Sequence, residues 1–154
     1  ADCEDGTSCD EFMKVCKPWC DSSADCSPGA ACVEARRDDG TSISGLTVCT
    51  AHCSLIAPQA VCGFDANCVL IEVEDPSARN EGDCALAGKT KAACACTKVS
   101  DCAAGMRCYE GSCQPWCVLG TSCPSTSGEA CLSGGPISYD GDAFGQCGVE
   151  FCQN

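Results

Sequence analysis

Cys16-Lys17-Pro18-Trp19-Cys20 returns almost unchanged as Cys113-Gln114-Pro115-Trp116-Cys117, and a looser copy stands at Cys49-Thr50-Ala51-His52-Cys53. Recurrence at a fixed period means that one supersecondary unit has been reused along the chain. After each copy come two further cysteines and then, beyond a long gap, a fifth. The sets are Cys16, Cys20, Cys26, Cys32, Cys49; then Cys49, Cys53, Cys62, Cys68, Cys84; then Cys113, Cys117, Cys123, Cys131, Cys147, with first-to-fifth spans of 33, 35 and 34 residues. Units one and three share an upstream extension, Cys3-x5-Cys9-x6-Cys16 beside Cys102-x5-Cys108-x4-Cys113, whereas unit two shares Cys49 with unit one. The spacing divides the chain into units at 1–48, 49–95 and 96–154, with the junction in the run from Cys84 to Cys96 around Gly88-Lys89-Thr90-Lys91.

Within each unit the fourth cysteine opens a short apolar run: Cys32-Val33, Cys68-Val69-Leu70-Ile71 or Cys131-Leu132. A polar, turn-rich segment follows: Arg36-Arg37-Asp38-Asp39-Gly40, Glu74-Asp75-Pro76-Ser77 or Ser138-Tyr139-Asp140-Gly141-Asp142. The chain then returns to the fifth cysteine. Two short runs around a turn segment predict a β-hairpin. The CxxxC pairs would share a face if those segments were helical turns, and Pro18 and Pro115 suit either a first helical turn or an extended start. The expected fold is small and disulfide-rich: three related short β-hairpin units, little helix, an extended repeat-like arrangement.

Twenty-one of the 154 residues are cysteine, well above the roughly 8–10% that marks a disulfide scaffold. Leu, Ile, Val and Phe number only 23, and the net charge is −13. That combination would ordinarily leave a chain disordered, because too little apolar surface is buried to offset the entropy of ordering the backbone. Cross-links restore the balance by constraining the unfolded chain. They also require an oxidising compartment, so the chain reads as secreted, extracellular or on a cell surface. Nine Lys plus Arg against 22 Asp plus Glu argues against nucleic-acid partners, and no apolar run is long enough for membrane insertion. Ala1 reads as a mature terminus, and a first cysteine at position 3 does not suit a lipid anchor.

Ser100-Asp101-Cys102-Ala103-Ala104-Gly105-Met106-Arg107-Cys108, Asp25-Cys26-Ser27-Pro28-Gly29 and the repeated Pro-Trp-Cys resemble the cysteine-rich tandem repeats of bacterial outer-surface proteins, such as the secreted and adhesin-type proteins of myxobacteria. The Asp-Cys-x-x-Gly-x-x-Cys run is also similar to Dickkopf-type disulfide modules. The likeness covers most of the chain through cysteine spacing. It implies a non-catalytic surface role and transfers no functional residues.

Zinc and iron–sulfur sites favour CxxC pairs; the chain has CxxxC and one CxC, Cys94-Ala95-Cys96, a pattern that suits disulfides to different partners. A nucleophile needs a base, and His52 is the single histidine; it stands where Trp19 and Trp116 stand in the other units, so the repeat explains it structurally. No catalytic role is expected and no cofactor is required. Calcium is the one ion the acidic loops could take, at Asp140-Gly141-Asp142, Asp38-Asp39 or Glu72, Glu74 and Asp75, but no segment has EF-hand spacing and solvated loop charge is the better reading. Trp19, His52 and Trp116 are the candidate binding residues: each tryptophan either covers a disulfide or anchors a partner. An odd cysteine count leaves one unpaired or intermolecular. Cys3 and Cys152, near the ends, and Cys94 and Cys96, where the repeat is irregular, are the candidates.

The sequence therefore points to an extracellular, non-enzymatic structural or adhesive protein, a subunit of a surface filament or coat that acts through self-assembly or protein partners. A soluble binding module of inhibitor or receptor-ligand type, acting through an exposed loop, is one alternative. An accessory subunit of a surface complex is the other.

Overall fold

The computed structural model describes residues 3–11, 13–37, 41–73, 79–123, 130–148 and 152, without the side chains of 73, 79 and 133–136. Among the described residues, ten antiparallel strands form five hairpins. They are β1 (Thr7–Asp10) with β2 (Val15–Pro18), β3 (Cys32–Arg36) with β4 (Ser42–Cys49), β5 (Ala66–Val73) with β6 (Arg79–Leu86), β7 (Met106–Tyr109) with β8 (Ser112–Val118), and β9 (Cys131–Tyr139) with β10 (Asp142–Cys147). The last two hairpins join edge to edge in the order β7-β8-β10-β9. Among the described residues, helix is confined to one turn, α1 (Gln59–Cys62), and to 3-10 turns at Ser23–Asp25 and Val99–Asp101. The fold is the small, disulfide-rich hairpin fold expected, and the extensions upstream of units one and three are hairpins as well.

One disulfide scheme recurs. Four cysteines in chain order, here a to d, are linked a to c and b to d. Cys20, Cys26, Cys32 and Cys49 follow it. So do Cys53, Cys62, Cys68 and Cys84, Cys96, Cys102, Cys108 and Cys113, and Cys117, Cys123, Cys131 and Cys147. In all four, c and d stand directly opposite across the hairpin: Cys32↔Cys49, Cys68↔Cys84, Cys108↔Cys113 and Cys131↔Cys147. Opposed residues put their side chains on one face, so both bridges run from that face to the preceding turn and fasten it across the hairpin. In each set three sulfurs lie within 4.8 Å of one another. They belong to bonded pairs, so this clustering is the stacking of two bridges.

Four expectations about single residues are corrected. Cys3 bonds Cys16, Cys94 bonds Cys152, and Cys96 bonds Cys108; the free thiol is Cys9, exposed on β1. Nearness to a terminus did not decide pairing: the hairpin register sets Cys16 opposite Cys9, yet Cys16 bonds Cys3, in the segment ahead of β1, and the run through Cys94 and Cys96 lies against β8. The CxxxC segments around Pro18 and Pro115 are strand, not helical turn. Cys49 closes the second hairpin by bonding Cys26. Asp140-Gly141 is a tight hairpin turn rather than a loop: φ is 50° and 83° at the two residues between paired Tyr139 and Asp142, the geometry that Asp-Gly favours. The expected loops at 38–40 and 74–78, with Asp38, Asp39, Glu74 and Asp75, lie outside the described residues.

The hairpins share their core. Cys53, Leu55, Cys68 and Cys84 pack with Trp116, Tyr139 and Phe144, which come from two other hairpins. Buried polar joints add to this. Lys17 Nζ, on β2, bonds Asp10 (2.9 Å) on β1 and Asp83 on β6, all three at most 4% exposed. Burial holds the Asp83 carboxyl above the usual aspartate value, with Lys17 opposing the shift. Fully buried Asn67 donates to Met106 O (2.7 Å) and accepts from the N–H groups of Cys68 (3.0 Å) and Gly105 (3.1 Å), tying the third hairpin to the fourth.

Candidate functional site

Ten disulfides in a chain of this length mark an oxidising, extracellular environment, and no helix among the described residues is long and apolar enough to cross a membrane. Three surface features stand out on this scaffold.

The first is a groove of about 580 Å³ between hairpins, lined by Gly29, His52, Glu81, Ser138, Tyr139 and Asp140. His52 occupies the repeat position of Trp19 and Trp116, with φ 48°, and its ring lies flat on Gly29. A Cβ on Gly29 would fall 2.6 Å from the ring, and its φ of 87° favours glycine in any case. One ring nitrogen, Nδ1, faces Glu81 (3.5 Å) and the other, Nε2, faces Asp140 (3.9 Å). Tyr139 donates its hydroxyl to Cys53 O (2.8 Å). Burial first, then the carboxylates of Glu81 and Asp140, push the phenol up to about 12. Glu81 is buried and Asp140 largely exposed. This arrangement presents two carboxylates around an imidazole and suits a cationic group such as an amine or guanidinium.

The second feature is apolar. Between Cys53 and Cys68, Ile56 (46%), Val61 (56%) and Phe64 (91%) stand exposed around α1. The segment is held by Cys53–Cys68 and by Cys62–Cys84, so these side chains are presented on a fastened support. Large apolar side chains held out to solvent on one segment are candidates for a contact surface. The third feature is the thiol of Cys9.

The candidate tryptophans part company. Trp116 is 4% exposed, packed edge-on to Phe144 (6.4 Å) and covered by the Arg107 guanidinium at 4.5 Å from the ring centroid. Trp19 is 47% exposed beside a shallow cleft with Asp21, Asp25 and Thr47. Their backbones match, since Trp19 N–H reaches Gly6 O (3.3 Å) as Trp116 N–H reaches Gly105 O (3.1 Å). The difference is the surroundings: Trp116 packs in the core with Leu55 and Phe144 beneath Arg107, whereas Ser8 stands where Arg107 stands and, among the described residues, Trp19 belongs to no such cluster. The structure therefore brings only His52, of the three candidate binding residues, into the groove. Glu81 and Tyr139 were missed; they lie 29 and 87 positions from His52 and carry no local motif. Of the calcium candidates, Glu72 is on β5, Asp140 is in the tight turn, and Asp142 begins β10.

The chain matches no protein-family model, no curated protein and no solved structure.

Proposed function

We propose that the protein is an extracellular, non-enzymatic structural or adhesive protein, a subunit of a surface filament or coat. The observation that carries this reading is the fastened segment that holds Ile56, Val61 and Phe64 out to solvent. Apolar side chains exposed on a stapled support can bury area against a neighbour without an ordering cost in the segment itself. The repeated crossed bridges supply resistance to unfolding and proteolysis, which a surface protein needs. Contact between unlike faces of successive copies would propagate as a filament wherever it does not close on itself.

The test is sedimentation velocity of the native protein without reductant, beside the triple variant Ile56→Ser, Val61→Ser, Phe64→Ser. Large particles or a ladder that the variant disperses is the expected result. A monodisperse monomer in both overturns assembly. It would favour the second reading, a soluble binding module using the His52 groove, which the paired carboxylates of Glu81 and Asp140 support.

A further inference from the structure

Cys3, Cys9 and Cys16 stand in the first hairpin where b, c and d stand in a crossed set. The first hairpin matches the fourth at every other point. Cys3–Cys16 corresponds to Cys102–Cys113, the b to d bridge. Cys9 faces Cys16 across the hairpin as Cys108 faces Cys113. The turn after b is closed by Thr7 N–H to Glu4 O (3.1 Å), as by Met106 N–H to Ala103 O (3.2 Å). A glycine of positive φ is the third residue of that turn in both, Gly6 at 86° and Gly105 at 79°. The sequence match reaches further upstream, where Ala1-Asp2-Cys3 parallels Ala24-Asp25-Cys26 and Ser100-Asp101-Cys102.

In all four complete sets the c cysteine is bonded to a. The fourth hairpin shows how a is delivered. Residues 93–96 run beside β8, with Ala93 N–H to Cys113 O (2.7 Å), Cys113 N–H to Cys94 O (2.9 Å) and Cys96 N–H to Gly111 O (2.9 Å). This segment helps cover the b to d bridge, so Cys102 and Cys113 are each 0% exposed. In the first hairpin Cys16, the equivalent of Cys113, is exposed, as is Cys9. The exposed thiol and the exposed bridge lie on the same side of the first hairpin's paired cysteines.

We propose that Cys9 forms a disulfide with a cysteine on an extended segment laid beside β2 as residues 93–96 lie beside β8. The inference does not rest on the assembly reading. Each thiol gives up one proton, and the pair gives up two electrons to a disulfide-class oxidant, which leaves as two thiols; an existing disulfide attacked by the Cys9 thiolate reaches the same bond by exchange. The separation from a to b is six residues in three of the four complete sets. If the segment is continuous with this chain, its cysteine therefore stands four residues ahead of Ala1. If it comes from a second copy, the bond is intermolecular.

Two experiments test this. In the first, seven residues copying Ala93–Val99, with serine for the first cysteine, are added ahead of Ala1, and the non-reduced protein is treated with iodoacetamide. Cys9 alkylation is expected to fall at least tenfold relative to the 154-residue chain. It should return to full when the remaining added cysteine is also serine. Full alkylation of Cys9 in the extended chain overturns the proposal. In the second, protein from its natural source is mapped by mass spectrometry without reduction. A link from Cys9 to a cysteine ahead of Ala1 identifies the continuous segment, and a link to a second copy identifies the intermolecular bond. A free Cys9, or one capped only by a small thiol, overturns the proposal.

Discussion

Replacing Lys17 with methionine tests the buried joint between the first and third hairpins. The side chain is 4% exposed, and its partners Asp10 and Asp83 are 2% and 0% exposed. Methionine fills much of the stem's volume but leaves two carboxylates in the interior without their cation. Each must stay charged there or take a proton. One proton shared between the two neighbouring carboxyls relieves most of that charge, and taking it up at pH 7 costs about 4 kcal/mol, from an ordinary value near 3.9 at ~1.4 kcal/mol per unit. Breaking one partner out of a buried ionic group costs about 3–5 kcal/mol by precedent, which agrees. The sign with pH follows from Asp83. Burial raises its carboxyl above the usual value, and Lys17 pulls it back down. A raised acid favours its protonated form in the fold, so its contribution to stability is present below the ordinary aspartate value and is lost as pH climbs through the raised one. Removing Lys17 strengthens that dependence. The penalty should be about 3–5 kcal/mol at pH 7 and shrink to about 1 kcal/mol near pH 4, where protonation is nearly free. Urea unfolding with disulfides intact, followed by Trp116 fluorescence at both pH values, reads the difference. Adding Asp10→Asn and Asp83→Asn should recover most of the loss at pH 7. A loss below about 1 kcal/mol at pH 7, or an equal loss at both pH values, would refute the view that Lys17 compensates buried charge.

Other outcomes are expected from the same contacts. Full reduction with alkylation should abolish the strand signal in far-ultraviolet circular dichroism. Nine of the ten bridges close loops of 11 to 24 residues, worth about 3 kcal/mol each on the chain-entropy account, against a net stability of about 5–15 kcal/mol for ordinary domains. Asn67→Ala should cost about 3 kcal/mol, since it strands buried backbone groups of the third and fourth hairpins, and hydrogen exchange should show the Gly105 amide losing protection. Gly82→Ala should destabilise by about 1–3 kcal/mol, read in the same urea assay, because a Cβ there would lie 2.3 Å from the Tyr139 hydroxyl and 2.7 Å from Cys53 O. In an ultraviolet titration Tyr139 should ionise near pH 12, identified by its loss in Tyr139→Phe. Its neutral form is favoured by the fold, so stability from this group is present below pH 10 and is lost as pH rises from about 10 through 12; ionisation near 10 would contradict the burial of the ring.

Hairpins at Cys32–Cys49, Cys68–Cys84 and Cys131–Cys147 were legible because each has an apolar run, a turn-rich gap and a return. The shorter hairpins at Cys9–Cys16 and Cys108–Cys113 were not, because Thr7–Asp10 and Met106–Tyr109 are too brief to show alternation. The string that revealed the repeat also hid its unit. Cys16 and Cys113 each end one crossed set, while Cys20 and Cys117 begin the next, so CxxxC is the junction between hairpins. It recurs because Trp19, His52 and Trp116 sit at equivalent places where one hairpin is passed to the next. Counting from the junction gave three units of five; counting between junctions gives sets of four, in which the odd cysteine, Cys9, takes the third place of the first. The groove was illegible for another reason. His52 was visible as a departure from tryptophan, but Glu81 and Tyr139 reach it only through β6 and β9, brought together by packing between hairpins whose sequences show no sign of each other. In a chain this poor in large apolar residues, bridges set each hairpin locally and buried polar joints such as Lys17 and Asn67 set how hairpins meet. The first kind of information is written in cysteine order and the second in single residues without a pattern. Local structure is therefore readable from such a sequence well before any site that spans two hairpins.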